Sequence, residues 1–386
     1  MKKMNWLLPA LPKILSYFLV GALAVAITLT VVAGNESKLD ELEKLINDKF
    51  IGEVDLTELE DAAAEAMLSA TGDRWSYYIP ADQYGAYQEQ KDNAYVGVGI
   101  SIKEREDGAG LDIVEVTAGG SAEEAGLLAG DVITAVDGKS IAGMDVNDIR
   151  NMIRGDVGTK VNITVLRGAE EITSSVTRKK IKTPVATARL LSGNIGLITI
   201  ENFNSGCSRQ TIEAVDSLIA QGAEKLIFDV RNNGGGYASE LVKVLDYLLP
   251  EGDLFRTVDY KGKEEASKSD SHCITLPMAV LVNGNSYSAA EFFAAALMEY
   301  EAAKIVGQQT TGKGYFQVTY KLSDGSAVAL SVGKYFTPKG VSLAGVGVTP
   351  DVVVPVDAET AAKIRAGTMK PMQDPQILAA IAALNA

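Results

Sequence analysis

The stretch from 278 to 300, MAVLVNGNSYSAAEFFAAALMEY, constrains the fold of this chain most, because it predicts a strand, a turn and a helix in immediate succession. The apolar run Met278–Val282 is short, uncharged and followed by turn residues, which is typical of a buried strand. Ser286 and Ser288 lie where this strand gives way to an alanine-rich helix. A hydroxyl there lies beside unpaired backbone N–H groups and the positive end of the helix dipole, where an oxyanion is stabilised. A serine that only caps the helix is the commoner alternative.

Composition excludes several classes of function. The 386 residues suffice for two or three domains with separate cores, and the net charge of −14 argues against a nucleic-acid partner. His272 is the one histidine, which rules out a multi-histidine metal site. A Ser-His-Asp triad could use only this histidine. An activated serine therefore favours another base. Cys207 and Cys273 do not make a disulfide framework, and whether they pair stays open.

The N-terminus predicts a membrane anchor. Lysines precede an uncharged apolar run, Ile14–Ala33, that is long enough to cross a bilayer as a helix, and acidic residues follow it. This charge order predicts a single-pass cell-membrane protein with residues 1–36 as cytoplasmic tip and anchor and the catalytic part outside the cytoplasm. Small residues near the end of the run leave a cleaved signal peptide, and hence secretion, as the alternative.

Residues 37–91 predict an N-terminal helical region. Apolar residues recur at helical spacing in two runs that break near Gly52, which suggests a packing or dimerisation element.

Residues 92–182 predict a compact β-rich domain. Short strands alternate with turns, and one amphipathic helix precedes a closing strand. The loop Gly97-Val98-Gly99-Ile100, together with the segment SAEEAGLLAGDVITAVDG, resembles a PDZ domain, a module that binds peptide C-termini. In such a loop successive N–H groups hold a terminal carboxylate while the peptide adds as a strand beside the sheet.

Residues 183–386 alternate strands and helices, which indicates a layered α/β core. Three segments there resemble motifs of the C-terminal processing peptidases, the tail-specific serine proteases of family S41: Asp229–Gly236 (D-x-R-x-N-x-G-G), Ser286–Glu291 (S-x-S-x-x-E) and Gly307–Gln317 (G-x-x-T-x-G-K-x-x-x-Q). Asp73–Tyr78 and Gly345–Asp351 resemble two further family segments. The resemblance covers roughly residues 40 to 385, in the family's order.

This resemblance implies a catalytic set. Ser288 is the expected nucleophile, and Lys313 the base that removes its proton. A solvated lysine stays protonated near pH 7, so Lys313 must be desolvated to act. Gln317 lies four residues after Lys313, the spacing of neighbours on a helix, and is expected to orient the ammonium. The family's oxyanion donors correspond to the backbone N–H groups of Gly235 and Ala289.

Other residues of these segments have ordinary expectations. Glu291 is expected to be structural, since negative charge is favourable in the first turn of a helix. Ser286 is expected to be a capping or supporting hydroxyl. The family often has proline where Gly234 stands and a small residue where Tyr287 stands, so rigidity of the oxyanion turn and the shape of the substrate pocket are in question.

The resemblance also implies architecture and partners. It implies a crotonase-like or ClpP-like layered protease core with an inserted PDZ domain, no cofactor, no metal, and a homodimer. The predicted function is a serine endopeptidase that binds proteins or peptides with free C-termini and cleaves them through an acyl-enzyme. A non-catalytic PDZ scaffold with a degenerate protease core is the main alternative, and an acyl-CoA hydratase-like enzyme is a second.

Overall fold

The structure, a computed structural model, describes residues 37–105, 107–117 and 119–386. The chain divides into two compact units between Arg74 and Trp75. The first unit contains helices α1 (Lys38–Lys49) and α2 (Leu56–Ser69), and no residue of either helix is buried. Both begin at a side-chain cap: Ser37 and Asp40 cap each other in α1, and Asp55 accepts from the N–H of Thr57 at 2.8 Å in α2.

The predicted membrane-spanning run, Ile14–Ala33, lies outside the described residues. In the described ranges no helix is both long and apolar enough to cross a membrane. The longest helices there have 14 residues, whereas a spanning helix needs about 20 apolar ones. The structure therefore contradicts the predicted single-pass membrane location, and that prediction is wrong for the part of the chain that is described.

The second unit contains the sheets and the remaining helices. Its first strands, in chain order, are β1 (Tyr77–Ile79), β2 (Ala94–Gly97), β3 (Ile100–Glu104), β4 (Leu111–Val116), β5 (Val132–Val136), β6 (Lys139–Ser140), β7 (Lys160–Arg167), β8 (Glu170–Thr177) and β9 (Lys179–Lys182). The later strands are β10 (Ala186–Leu191), β11 (Ile195–Ile200), β12 (Lys225–Asp229), β13 (Gly252–Asp259), β14 (Glu264–Ser269), β15 (Met278–Val282), β16 (Ala303–Gly307), β17 (Tyr315–Lys321), β18 (Ala327–Phe336) and β19 (Val352–Val353). The helices are α3 (Ala81–Lys91), α4 (Ser121–Glu124), α5 (Val146–Ile153), α6 (Cys207–Ala220), α7 (Ala238–Leu248), α8 (Ala289–Glu299), α9 (Ala358–Arg365) and α10 (Pro375–Asn385), with a 3-10 turn at Pro371–Gln373.

The central sheet has the strand order β10-β11-β12-β15-β16-β19, and only β10 runs antiparallel to its neighbour. Successive side chains of a strand point to opposite faces. Phe228 and Val280 therefore belong to the core that contains α7 and α8, while Ile227 and Leu281 pack with Ile377 of α10. The sheet is thus covered on both faces, as the layered α/β prediction requires.

Parallel strands bring two turns to one edge of this sheet. Asp229 of β12 lies beside Leu281 of β15, so the glycine turn after β12 and the serine turn after β15 are neighbours. Sites in open α/β sheets lie at the carboxyl ends of the strands.

A second sheet has the order β1-β18-β13-β14. Strands β1 and β13 pair with different parts of β18, and β17 pairs along most of the length of β18. The predicted 37–91 region is divided by the break between the units, because β1 and α3 belong to the second unit.

The β-rich domain forms the sheet β3-β4-β5-β7-β8, with β6 paired to β5. Its hydrophobic core contains Leu111, Ile133 and Val161, each almost completely buried. Strands β2 and β9 pair antiparallel from Ala94 opposite Lys182, so the chain enters and leaves this domain side by side. That arrangement fits a domain inserted into a loop of the core.

Candidate active site

Ser288 occupies the turn between the buried strand β15 and the buried helix α8. Its backbone has φ 58° and ψ −125°, a positive φ that non-glycine residues rarely adopt. Such a conformation costs on the order of 1–3 kcal/mol and persists only where the surroundings enforce it. Two neighbours enforce it here: the carboxylate of Glu291 accepts from the Ser288 N–H at 2.9 Å, and Gly235 lies directly against the serine. This backbone conformation places the half-buried hydroxyl of Ser288 at the start of helix α8.

Ser286 is fully buried and has a supporting role. Its hydroxyl donates to the carbonyl of Val230 at 2.7 Å and accepts from the N–H of Asn283 at 3.0 Å. These bonds join the end of β12 to the turn after β15, so the hydroxyl is committed to structure rather than to a substrate.

Glu291 is structural, as predicted, but its contacts extend beyond the first turn of its helix. Its carboxylate is completely buried, and it accepts four hydrogen bonds: from the backbone N–H groups of Ser288 (2.9 Å), Gly312 (2.6 Å) and Lys313 (2.8 Å), and from the hydroxyl of Thr310 (2.5 Å). A buried carboxylate with several N–H donors is a strong tie, because charge-assisted bonds are roughly twice as strong as neutral ones. It joins the turn of Ser288 to the loop of Lys313. The residues concerned are about 20 positions apart, so no local pattern in the sequence shows this bridge.

Lys313 lies among aromatic rings. Its Nζ is 4.9 Å from the ring centre of Trp75 and 5.8 Å from that of Tyr287, distances at which a ring attracts an ammonium. Gly312 has φ +84°, and a side chain on it would meet the backbone of Val346 at 2.8 Å. Glycine is therefore required beside the lysine, because the backbone of Val346 approaches too closely for a side chain.

Gln317 lies on strand β17, not on a helix, so the helical spacing predicted for Lys313 and Gln317 is wrong. Tertiary pairing with β18 overrides the four-residue spacing. The side-chain nitrogen of Gln317 donates to the hydroxyl of Ser331 at 3.0 Å and to the carbonyl of Tyr315 at 3.3 Å. Its side-chain oxygen is then the end that can accept from a cation.

The glycine turn after β12, which carries the predicted oxyanion donor Gly235, has an internal hydrogen bond that the sequence analysis does not predict. The N–H of Gly235 donates to Oδ1 of Asn233 at 2.8 Å, and the side-chain nitrogen of Asn233 donates to the carbonyl of Ile200 at 2.8 Å. Asn233 is completely buried, and the carbonyl of Gly235 accepts from the N–H of Phe203 at 2.9 Å. The predicted donor is thus adjacent to the nucleophile but bonded to its own turn. An asparagine two residues before a glycine is a known turn signal and could have indicated this bond.

Gly234 and Tyr287, the two departures from the family pattern, are in contact. A Cβ atom on Gly234 would lie 2.5 Å from the hydroxyl oxygen of Tyr287, which is far inside van der Waals distance. The tyrosine therefore fits because position 234 has no side chain.

Arg231 anchors the base of the same turn. Its buried guanidinium donates to Asp229 at 2.6 Å and 2.9 Å, to Asp374 at 2.8 Å and to Gln376 at 2.9 Å. The turn that carries Gly235 is thereby fixed to the start of α10, which folds back from the far end of the chain.

A cavity of about 510 Å³ brings the predicted catalytic residues together. Ser288, Lys313 and Gln317 all line it. The rest of its wall is aromatic and polar, with contributions from α3, the glycine turn and β17: Tyr77, Tyr84, Tyr87, Gln88, Lys91, Asp92, Gly234, Gly236, Tyr237, Ala238, Phe316, Val318, Thr319 and Tyr335. Ala289, the other predicted oxyanion residue, lines a small apolar recess that opens beside Ser288.

The predicted peptide-binding loop lines a separate groove of about 290 Å³. Gly97, Val98, Gly99 and Ile100 form one side of it. Tyr95 of β2, residues of β3 and α5, and Arg154 form the rest. Gly99 has φ +83°, a conformation that favours glycine. The second arginine of the groove, Arg150, also faces it, which suits an anionic ligand. 

Comparison with known proteins identifies the family. Residues 194–354 match the model of peptidase family S41, and residues 113–167 match a PDZ domain. A probable CtpA-like serine protease of Staphylococcus aureus (strain COL) is 31% identical over 357 residues, which cover 87% of this chain and 71% of that protein. The chain belongs to peptidase family S41.

This S41 peptidase is also similar to the carboxy-terminal processing protease CtpA of Bacillus subtilis (strain 168), with 34% identity over 323 residues, 82% of this chain and 69% of that protein. Among solved structures, the photosystem II D1 C-terminal processing protease is 30% identical and covers 88% of this chain and 93% of that one, with a TM-score of 0.48. The predicted resemblance to C-terminal processing peptidases is confirmed. This chain is a serine-type peptidase with a PDZ domain, and peptides are its class of substrate.

Proposed function

We propose that this S41 peptidase is an endopeptidase in which Ser288 and Lys313 act as a catalytic dyad. The observation that carries the proposal is the bridge made by Glu291, which fixes the backbones of both residues at the wall of one cavity. A nucleophile and its base must be held in one geometry to work together, and a buried carboxylate bonded to both backbones does so.

In the first step Lys313, as the neutral amine, removes the proton of the Ser288 hydroxyl while the serine oxygen attacks the substrate carbonyl. The resulting tetrahedral oxyanion accepts hydrogen bonds from the N–H groups of Ala289 and Gly235. The intermediate then collapses: the C–N bond breaks, and the proton on Lys313 passes to the leaving amine. Water, deprotonated by the same lysine, hydrolyses the acyl-enzyme and releases Ser288. Gln317 orients the lysine through its side-chain oxygen.

Two contacts describe a resting arrangement that this mechanism must leave. The N–H of Gly235 is bonded to Asn233, and the Nζ of Lys313 lies 4.9 and 5.8 Å from the centres of two aromatic rings, which attract an ammonium. We infer that substrate binding exchanges the first contact for a bond to the oxyanion and desolvates the lysine.

The PDZ domain, for which we propose limits of 92–182 between the helical region and the core at 183–386, binds the C-terminus of the substrate protein. Gly97–Ile100 supplies the carboxylate-binding loop, and the groove charge of Arg150 and Arg154 supports an anionic ligand. A hydrophobic C-terminal peptide is expected to bind the Ser288→Ala chain more tightly as the free acid than as the amide. Equal affinity of the two forms would contradict the proposal.

The catalytic proposal is tested by incubating the full chain with an unstructured protein. Ser288→Ala and Lys313→Ala are each expected to abolish cleavage, whereas Lys321→Ala, a lysine outside the cavity wall, serves as the matched control. Cleavage that persists in both catalytic variants would exclude the dyad. If the wild-type chain does not cleave, even with C-terminal peptides added, the non-catalytic PDZ scaffold is the better assignment.

We also propose a homodimer through α1. Leu39, Leu42 and Leu45 recur at helical spacing and expose 44%, 51% and 51% of their surface. Burial of such an apolar stripe against a second copy of the chain is favourable, because it removes apolar surface from water. Light scattering is expected to give twice the chain mass for the wild type and a monomer for Leu42→Glu; a monomeric wild type would contradict this.

A further inference from the structure

The active-site cavity contains a second lysine, Lys91, to which the proposed mechanism assigns no step. Lys91 is the last residue of α3 and lines the same cavity as Ser288 and Lys313. Its Nζ lies 5.6 Å from the ring centre of Tyr87 and 5.9 Å from that of Tyr237. Among the described residues, no carboxylate oxygen lies within 4.0 Å of this Nζ. The ammonium is therefore held between aromatic rings without an anion from those residues.

We propose that Lys91 binds a carboxylate of the substrate inside the active-site cavity and thereby selects which peptide bonds reach Ser288. This inference rests on the proposed peptidase function and deepens it. The carboxylate belongs either to the end of the chain or to an aspartate or glutamate side chain near the cleaved bond. Both offer the same chemistry to an ammonium, a charge-assisted hydrogen bond.

The backbone around Lys91 is fixed. The N–H of Ser205 donates to the carbonyl of Lys91 at 3.1 Å, and the side chain of Asn204 donates to the carbonyl of Gln90 at 3.2 Å. Two residues later, Asn93 and Asn202 exchange a pair of side-chain hydrogen bonds of 2.9 and 3.0 Å. Binding to a preorganised group loses less conformational entropy, so a lysine presented from a fixed backbone is suited to recognition.

The charge of the cavity favours an anion although the chain is acidic. Among the described residues, Lys91, Lys313 and Asp92 are the charged residues of its wall, and Asp92 is already paired with Lys180 on the neighbouring strand β9. Two ammonium groups thus line a cavity in a chain of net charge −14. A locally positive cleft raises the concentration of negatively charged substrate segments at the site.

Lys321 shows that the aromatic contact alone is not the distinguishing feature. Its Nζ lies 5.4 Å from the ring centre of Tyr84, a residue of the same helix α3, yet Lys321 is exposed and does not line the cavity. Lys91 differs by facing the space where the substrate must lie. Lys321→Gln therefore removes the same charge and the same type of contact at a side chain that does not itself line the cavity.

The experiment uses the full chain and short internally quenched peptides in matched pairs. One pair differs only in a C-terminal acid or amide, and the other pairs carry Glu or Gln at single positions on either side of the cleaved bond. KM and kcat are measured for the wild type, Lys91→Gln, Lys91→Arg and Lys321→Gln.

In the wild type, one of the carboxylate-bearing peptides is expected to have a KM about tenfold lower than its neutral partner. The ratio of the KM of the neutral peptide to the KM of the carboxylate-bearing peptide is expected to fall to near one in Lys91→Gln. The same KM ratio is largely retained in Lys91→Arg and is unchanged in Lys321→Gln. The pair that shows the effect identifies the source as chain end or side chain. The same ratio in Lys91→Gln as in the wild type, or no ratio above one for any pair in the wild type, would overturn the proposal.

Failure of the proposed peptidase function gives a different result. If the wild type cleaves none of the peptides, the same pairs are bound to Ser288→Ala and to Ser288→Ala/Lys91→Gln and followed by fluorescence anisotropy. A preference for the carboxylate that is lost only with Lys91 supports the site independently of turnover, because the PDZ groove is the same in both chains. An identical preference in both chains would assign it to the PDZ groove and reject Lys91.

Discussion

The side-chain oxygen of Asn233 accepts the backbone N–H of Gly235 at 2.8 Å, which engages the predicted oxyanion donor within its own turn. The same asparagine is anchored to the carbonyl of Ile200, so the turn is held at both ends of one buried side chain. This bond stabilises the turn, and a tetrahedral intermediate that accepts from the Gly235 N–H, as proposed, must compete with it.

A peptide boronic acid bound to Ser288 is therefore expected to break this bond. The tetrahedral adduct places a negative oxygen beside the turn, and a charged acceptor attracts the Gly235 N–H more strongly than the neutral amide of Asn233 does. A crystal structure of the adduct should show the nitrogen of Gly235 more than 3.5 Å from Oδ1 of Asn233, against 2.8 Å in the resting protein. An adduct in which the 2.8 Å bond persists and the boronate oxygen has no contact with Gly235 would exclude this residue as an oxyanion donor.

Glu291→Gln is expected to lower both stability and activity. An amide has one acceptor oxygen where the carboxylate accepts from four donors, so buried N–H groups lose partners and face the new NH₂ group. We expect the free energy of unfolding to fall by about 3 kcal/mol and kcat by about 100-fold. Denaturant unfolding and peptide cleavage measure the two effects.

Glu299→Gln, at the other end of α8, is the matched control because that carboxylate accepts a single backbone N–H, from Lys339. Its effect should stay within about 1 kcal/mol. Wild-type activity in Glu291→Gln would show that the bridge between the two loops is dispensable.

Gly234→Pro and Tyr287→Gly are expected to compensate each other. Proline introduces a Cβ that would lie 2.5 Å from the tyrosine hydroxyl, so Gly234→Pro alone should cost activity about tenfold or more. Removing the tyrosine side chain opens the space, and the double variant should be more active than Gly234→Pro alone. A double-mutant cycle on kcat/KM measures this coupling, and additive effects would show that the contact is unimportant.

The ion pair between Asp131 and Arg167 is expected to make the PDZ domain acid-sensitive. Asp131 is buried, and hydrogen bonding to the guanidinium of Arg167 lowers the pKa of its carboxyl group, as do the Leu128 N–H and the charge of Arg167. Because the folded pKa lies below the unfolded value of about 3.9, the pair stabilises the fold above that pH and the contribution is lost as pH falls through the folded pKa.

Thermal melts of the wild type and Arg167→Gln, recorded from neutral to acidic pH, test this dependence. The difference in Tm should be largest near neutral pH and shrink below about pH 4. Arg189→Gln, an exposed arginine on β10, should show no such trend. A difference between wild type and Arg167→Gln that is independent of pH would contradict the assignment.

Much of the fold follows from local patterns. Met278–Val282 is uncharged and continuous, and the structure buries all five of its residues as predicted. The helix from Ala289 is buried through most of its length because its alanines and phenylalanines leave no polar face. Ser286 needed only its place in the turn to be recognised as a supporting hydroxyl.

The strand at Gln317 shows where such reasoning ends. Its four-residue spacing from Lys313 suggests a helix, but seven residues from Tyr315 to Lys321 pair with β18 instead. The partner strand, β18, follows directly in the chain. Pairing with it determines the local structure, and the spacing of two residues does not. The residues of the predicted membrane anchor lie outside the described ranges. Within the described ranges no helix is long and apolar enough to span a bilayer.

By itself, the sequence determined the strand–turn–helix, the residues available as nucleophile and base, and the family to which they belong, because each depends on neighbours a few positions apart. The tertiary structure alone decided that Glu291 joins the turns of Ser288 and Lys313, and that Asn233 engages Gly235 while anchored to Ile200. It also decided that Lys91 faces the same cavity as Ser288. The physical reason is that the partners in these contacts are brought together by the sheet and its loops, and hydrogen bonds between distant residues leave no periodic trace along the chain.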